Sequence, residues 1–322
     1  MTSPTLRAAE NQGLSLRQQR ARAAFWFLAP MLVALFAVAA WPLLRTIYFS
    51  LTNTSLDNLY GGKFVWFYNY FHTQTMPSGA VRYRGALFDP DWWNAVWNTV
   101  RFSVVSVVFE TILGMSVALM LNAEFKGRGF VRAAILIPWA IPTIVSAKIW
   151  AWMLNDQYGI INDIMVNLHL IDHKIAWTSS NDTAMIAVLA VDIWKTTPFM
   201  ALLCLAGLQM VPRDIYEAAK IDGIHPIKVF FKITLPLIRP AVMVAVIFRM
   251  LDALRIFDLV YVLTPNSSST KTMSVISREN MIDFAKFAYG ATQSTMLFAM
   301  LAVFVSLYIW LGKVDLTGEG RK

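Results

Sequence analysis

Four charged residues of alternating sign lie within one apolar stretch near the C-terminal end of the chain. Arg249, Asp252, Arg255 and Asp258 follow one another at intervals of three residues. On a helix, side chains three positions apart are neighbours, so these groups form a stripe that turns slowly around the axis. Ionic groups in such a setting either line a water-filled path for a polar solute or pair with each other and lock neighbouring helices together.

A second apolar stretch carries polar groups of the same kind. Asp192 and Lys195 repeat the spacing of three, and Trp194, Thr196 and Thr197 lie beside them. Hydroxyl groups, charged groups and an aromatic face are what a site for a polar solute requires. Pairing between helices remains the other interpretation for each of these residues. Two further charges within apolar stretches belong to Glu110 and Lys148.

The composition assigns the chain to the integral membrane proteins. Of its 322 residues, 57% are hydrophobic and 15% are charged, and the mean hydropathy is +0.51. A soluble domain carries about a quarter charged residues. A helix crosses a bilayer with about 20 apolar residues. Six segments meet this requirement, at about 25–49, 98–121, 131–153, 185–208, 237–263 and 290–312.

An even number of spans puts both chain ends on one side of the membrane. Lys and Arg are more frequent in the segments that share a side with the N-terminus, which predicts that this side is the cytoplasm. We therefore expect cytoplasmic tails at 1–24 and 313–322 and a transmembrane domain over 25–312. The net charge of +8 is explained by this orientation rather than by nucleic-acid binding.

The first extracytoplasmic loop, about 50–97, is long and rich in aromatic residues, which predicts a small cap or an ordered loop. The segment before the fourth span predicts a short interfacial helix.

Motifs for catalysis, nucleotide binding or metal binding are not found. The chain lacks G-x-x-x-x-G-K-[ST], G-x-S-x-G and H-E-x-x-H. Cys204 is the only cysteine, and the four histidines are dispersed, with His169 and His173 lacking an obvious third ligand. We expect neither an enzyme nor a chain that binds a cofactor or metal.

At about 1.5 Å per residue, the charged groups within the spans extend from the middle of the membrane towards the outer side, as a cavity that receives cargo from outside requires.

The segment 211–236 is too polar for its place between two spans. "RDIYEAAKID" predicts a helix with an acidic residue in its first turn. Gly223 predicts a left-handed stop after it, and Pro226 suits the first turn of a second short helix over "PIKVFFKI". Leu235 and Pro236 then begin the fifth span. An interfacial amphipathic loop or a docking element for a cytoplasmic partner would both have this pattern.

The same segment resembles the EAA motif of the membrane subunits of ABC importers. Glu217-Ala218-Ala219, three residues, Gly223, nine residues, Ile233, one residue and Leu235-Pro236 match that motif in full. "VDIWKTTPFMALLCLAGLQMVPRDIYEAA", "ALRIFDLVYVLT" and "WPLLRTIYFSLTN" are similar to the carbohydrate branch, the maltose and trehalose permease subunits. The resemblance covers about residues 25–312.

The resemblance implies an all-α membrane fold with six transmembrane helices and a cytoplasmic helix-turn-helix coupling loop. It implies a bacterial or archaeal inner-membrane importer for a disaccharide or other small saccharide. Its partners would be a second permease subunit in a hetero-pair, two ATPase subunits that bind ATP and Mg²⁺, and an extracytoplasmic solute-binding protein. The coupling residues carried over by the motif are Glu217, Ala218, Ala219, Asp222, Gly223, Pro226, Leu235 and Pro236.

A self-sufficient six-span channel or secondary transporter is the alternative. Charges within spans fit it equally well, but it leaves the spacing of the EAA motif unexplained. The residues do not distinguish a disaccharide from a polyol, a sugar phosphate or a sulfonated sugar. They also leave open whether two identical copies pair.

Overall fold

Helices make up most of the computed structural model, which describes residues 16–59, 61–77, 80–265 and 267–312. The predicted C-terminal tail and most of the N-terminal tail lie outside the described residues. The chain divides into two units, with the boundary between Tyr48 and Phe49.

The first unit is helical from the first described residue. Helix α1 covers Leu16–Leu35, a π-helical turn covers Phe36–Ala40, and α2 covers Trp41–Ser50 and crosses the boundary. The helix therefore begins upstream of the predicted span at 25. Pro30 lies inside it without ending it.

The described residues that follow α2 form an ordered segment, as the sequence predicts. It contains a 3₁₀ turn at Trp66–Asn69 and an antiparallel hairpin of β1 (His72–Thr75) and β2 (Val81–Arg84). Its buried residues join it to the last helix of the chain, since the backbone N–H of Ala288 donates to the carbonyl of Thr54 at 3.1 Å. This hairpin is the one sheet among the described residues of an otherwise helical protein.

Twelve further helices follow in chain order. They are α3 (Pro90–Asn122), α4 (Arg128–Ile135), α5 (Ile137–Ala140), α6 (Thr143–Met153), α7 (Ile160–Asn167), α8 (Ala184–Gln209), α9 (Arg213–Ile221), α10 (Pro226–Val229), α11 (Leu235–Leu254), α12 (Asp258–Leu263), α13 (Met273–Arg278) and α14 (Phe287–Gly312). Among the described residues, five helices are long and apolar enough to cross a membrane: Gln19–Ser50, α3, α8, the helix that runs from Pro226 through α11, and α14. Helix α7 provides the short helix predicted before the fourth span.

The structure differs from the predicted spans at two places, where the helices are interrupted. The third predicted span, 131–153, is divided into α4, α5 and α6, because Pro138 and Pro142 lack the N–H that a continuous helix needs. The fifth predicted span, 237–263, ends as a helix at Leu254 and resumes at Asp258. In addition, the helix of the fifth span begins at Pro226 rather than at Leu235, because a π-helical turn at Phe230–Thr234 joins α10 to α11.

Small residues bring the central helices close together. Helix α3 packs along α8, and α11 packs against both. A side chain on Gly114 would meet Met200 Cγ at 2.7 Å, and one on Gly207 would meet Ala241 Cβ at 2.7 Å. Close approach at small residues is how helices gain contact in lipid, where hydrophobicity does not drive them together. The core around these contacts includes the fully buried Phe102, Val188 and Ile238.

Candidate functional site

A buried cluster of charges joins the three central helices. Arg249 of α11 donates to Glu110 of α3, with Nε 2.5 Å from Oε2, and to Asp192 of α8, with Nη2 2.5 Å from Oδ2. Its Nη1 donates to Asp252 at 2.9 Å. Ser106 donates to Glu110 and lies 2.7 Å from Asp192 Oδ2. Because buried charges are costly without partners, this arrangement holds α3, α8 and α11 in one register.

The contacts of Arg249 distinguish between its two possible roles, which are locking the helices together and binding cargo directly. Its side chain is 2% exposed and its guanidinium is bound by three carboxylates. Such contacts favour helix locking over direct binding of cargo. Asp252 differs, because its side chain is 59% exposed while one oxygen stays on Arg249.

Lys195 stabilises the first helix interruption. Its Nζ donates to the carbonyl of Ile141 at 2.6 Å and lies 3.4 Å from the carbonyl of Trp139. Trp139 lies in the last turn of α5, and Ile141 follows the end of that helix at the break before Pro142. A cation at a helix C-terminus satisfies such carbonyls and is favoured by the helix dipole. The side chain of Lys195 is thus directed at the backbone of the interrupted third segment.

The second interruption, Arg255–Phe257, lies opposite the first. The Thr272 hydroxyl donates to the carbonyl of Ile256 at 3.0 Å, which satisfies one of the carbonyls freed there. Backbone of this kind at membrane depth is tolerated where it is buried in protein or lines a cavity.

A cavity of about 550 Å³ lies between the two interruptions. We call it the charged cavity. Six of the predicted cargo residues line it: Lys195, Thr196, Arg249, Asp252, Arg255 and Asp258. The exposed Arg255 faces Asp252, with Nη2 3.7 Å from Oδ1. The other two predicted residues are not among its lining. Trp194 packs edge-on against Trp150 at 5.4 Å, and the Thr197 hydroxyl is buried without a partner among the described residues.

The polar segment between α8 and α11 forms the predicted helix and turn. Helix α9 ends in a Schellman motif, in which Ile224 N–H donates to Ala219 at 3.0 Å and Gly223 N–H donates to Lys220 at 3.1 Å. Gly223 has φ +67, the left-handed conformation that the sequence predicts.

The motif residues of this segment do not all face the same way. Glu217, Ala218, Asp222, Gly223, Pro226 and Pro236 are exposed, Leu235 is half-buried and Ala219 is buried. The apolar residues of α9 are therefore divided, because Ile215 and Ala219 share its inward face at a spacing of four while Ala218 and Ile221 are exposed. The exposed surface adds large apolar side chains: Met210 (83%), Ile221 (86%), Ile227 (63%) and Phe231 (61%).

Residues 110–315 match the family of binding-protein-dependent transport system inner membrane components. This chain belongs to that family. The permease is 43% identical to the trehalose/maltose transport system permease protein of Thermococcus litoralis over 73% of its length and 79% of the relative. It is 35% identical to the sulfoquinovosyl glycerol transport system permease protein of Agrobacterium fabrum over 88% of its length and 87% of the relative.

Solved structures agree on the fold. The permease aligns, with a TM-score of 0.75 and 18% identity, to a chain in the crystal structure of a bacterial ABC transporter involved in the import of the acidic polysaccharide alginate. The alignment covers 93% of the permease and 98% of that chain. The permease is thus a multi-pass inner-membrane transport subunit with the importer fold.

Sequence reasoning missed part of the charged cavity and part of the buried ion-pair cluster of this permease. The carbonyls of Trp139 and Ile141 were not among the predicted site groups, because backbone groups carry no residue signature. Glu110 was recognised only as a charge within a span. Ser106, four residues before it, was the available signal, since residues at that spacing share a helix face.

Proposed function

We propose that this permease forms part of the translocation path of an ATP-driven, binding-protein-dependent importer and that its cargo is a saccharide of about disaccharide size. The charged cavity is the observation that carries the proposal. Its volume of about 550 Å³ falls within the range of about 300–1,000 Å³ that ligand sites have. The saccharide class is supported by the two relatives whose names specify sugars.

Asp252 and Arg255 are the groups proposed to contact cargo first. Both side chains are more than half exposed and line the cavity wall. A carboxylate accepts hydrogen bonds from sugar hydroxyls and a guanidinium donates to them. Lys195 and Thr196 border the same space, and Arg249 acts behind them by orienting Asp252.

The exposed surface around Gly223 is the proposed docking site of the partner ATPase. It combines the motif residues Glu217, Ala218 and Pro226 with large exposed apolar side chains such as Ile221. From Pro226 the chain is one helix as far as Leu254. A displacement at the docking surface would therefore be carried along a rigid helix to Arg249 and Asp252. We propose that closure of the ATPase drives alternating access by this route.

The remaining features of the assembly follow from the same proposal. The permease crosses the membrane six times, with α4, α5 and α6 forming an interrupted third crossing, and both termini are cytoplasmic. Its partners are a second permease in a hetero-pair, two ATPase subunits that hold ATP and Mg²⁺, and an extracytoplasmic binding protein. The permease itself binds no cofactor and catalyses no reaction.

Reconstitution tests the proposed function. The permease is purified from native membranes in mild detergent with its co-purifying chains and placed in lipid vesicles with ATP enclosed. We expect uptake of maltose or trehalose that requires both ATP and the binding protein. Uptake by the permease alone in ATP-free vesicles would instead support the channel or secondary-transporter alternative.

A further inference from the structure

A second cavity, of about 640 Å³, lies beyond the charged cavity along the helices α6 and α12, which border both cavities. We call it the amide-rich cavity. Its lining comes from the end of α6, from the segment that connects α6 to α8, and from the end of α12 with the chain that follows it. In the proposed topology all three segments lie at the extracytoplasmic side.

The lining groups have the chemistry of a saccharide site. Asn181 provides a carboxamide and Ser179 a hydroxyl. Asn155 provides its amide NH₂, since its Oδ1 already accepts from the N–H groups of Gln157 and Tyr158. Trp152 and Tyr158 expose 68% and 58% of their surfaces, with ring centroids 6.4 Å apart. A carboxamide can donate hydrogen bonds to sugar hydroxyl groups and accept hydrogen bonds from them. Aromatic rings pack against the C–H faces of a sugar.

The charges of the two cavities differ. Among the described residues, those that line the amide-rich cavity include one cation, Lys148, and no carboxylate. The charged cavity is lined by Asp192, Asp252 and Asp258 together with three cations. The amide-rich cavity therefore offers a neutral, hydroxyl-rich ligand mainly uncharged hydrogen-bonding partners.

Hydrogen bonds hold the walls of the amide-rich cavity in place. The fully buried Asn162 donates to the carbonyls of Asn155 at 3.1 Å and Ile175 at 2.9 Å, and it accepts from Trp177 Nε1 at 2.9 Å. Asn155 in turn accepts from the N–H of Tyr158 at 3.2 Å. Walls fixed in this way reduce the ordering cost of ligand binding.

The two cavities are joined by the helices that start at the interruptions. Helix α6 lines the charged cavity at Thr143 and the amide-rich cavity from Lys148 onwards, and it packs against α12. Helix α12 does the same at Asp258 and at Val262. At 1.5 Å per residue, the cavities are offset by roughly 6–14 Å along these helices.

We propose that the amide-rich cavity is a first saccharide subsite, which holds cargo before it reaches the charged cavity. This inference rests on the proposed function and adds an extracytoplasmic binding step to it. The cargo class is a neutral saccharide that presents one apolar ring face to Trp152.

Cysteine labelling tests the subsite, because Cys204 is the only cysteine and is buried. Ser179→Cys is introduced into the complete importer in membranes and treated with a membrane-impermeant maleimide. We expect maltose and trehalose to slow its labelling several-fold in the absence of the binding protein, while glycine betaine at equal osmolarity does not. His173→Cys, an exposed position of the same loop outside the cavity lining, is the control and should label at one rate throughout.

A second variant examines the aromatic contact. Adding Trp152→Ala to Ser179→Cys should remove the protection by sugar, and Trp152→Phe should keep it. Equal labelling of Ser179→Cys with and without sugar would overturn the subsite. Protection by the binding protein alone would overturn it too and would identify a docking surface.

Uptake by the wild-type importer separates the two proposals. ATP-dependent uptake by the wild type, together with Ser179→Cys labelling that sugar does not slow, would refute the subsite and leave the proposed function standing. Failure of the wild-type importer to take up sugar, with an active ATPase present, would refute the proposed function itself.

Discussion

Arg249 Nε lies 2.5 Å from Glu110 Oε2, although 139 positions separate the two residues in the chain. The contact joins α11, which begins near the proposed docking surface of the ATPase, to α3. Since Asp252 also binds Arg249, one guanidinium fixes the packing of the helices and orients the exposed carboxylate of the charged cavity.

Removal of Arg249 should destabilise the permease more than removal of any exposed cation. Arg249→Met leaves Glu110 and Asp192 buried without their cation, and breaking a buried ion pair in this way costs about 3–5 kcal/mol. Thermal unfolding in detergent measures the effect, and Arg255→Met is the matched control because its side chain is 68% exposed. Adding Glu110→Gln to Arg249→Met should restore part of the loss. Equal stability of the two single variants would contradict the locking role.

Replacement of Lys195 by methionine should disturb the first helix interruption. Met has a similar length and no donor, so the carbonyl of Ile141 loses the partner at 2.6 Å. A hydrogen bond from a charged donor contributes about 1.5–3 kcal/mol. We expect lower stability and slower uptake for Lys195→Met, with recovery in Lys195→Arg, which keeps the donor. The control is Lys126→Met at an exposed loop position. Uptake by Lys195→Met equal to that of the wild type would argue against a role of Lys195 in stabilising the first helix interruption.

A β-branched residue at Gly223 should separate ATP hydrolysis from uptake. The left-handed conformation costs an L-residue about 1–2 kcal/mol, and a Cβ there meets nothing within 4 Å, so the effect is conformational rather than steric. Gly223→Val should enter the membrane normally, while the importer hydrolyses ATP with little uptake. Gly223→Asn should be milder, because Asn tolerates this conformation.

Gly127 provides a matched control for that experiment. It too has a positive φ, +85, and open space around its Cα, but it lies in the loop after α3. Gly127→Val should carry the same backbone cost and leave uptake coupled to hydrolysis. Normal uptake by a well-inserted Gly223→Val permease would refute the coupling role of the turn.

The chain reveals its local structure more fully than its contacts. Helix α9 and the left-handed conformation of Gly223 were predictable, because helix propensity and the conformational preference of glycine act within a few residues. The partners of Arg249 were not, since the contact with Glu110 depends on how three helices pack. The prolines of the third span, including Pro142, indicated that its helix would be interrupted. Nothing in the sequence indicated that Lys195, from a different helix, stabilises this interruption. The hydrogen bonds of Asn162 had no signal, because an Asn on a short helix such as α7 has the same local pattern whether it is buried or exposed.

Loss of the Asn162 side chain should loosen the walls of the amide-rich cavity. Asn162→Ala removes four hydrogen bonds, to Asn155, Trp177 and both backbone groups of Ile175. Each is worth about 1 kcal/mol, so we expect a loss of about 2–4 kcal/mol that is confined to the loop between α6 and α8. Faster cleavage of this loop by an added protease, with the other loops unchanged, would be the measured sign. Asn167→Ala, at an exposed position of the same helix α7, should be cleaved as the wild type is. If both variants resist protease equally, Asn162 does not organise the cavity wall.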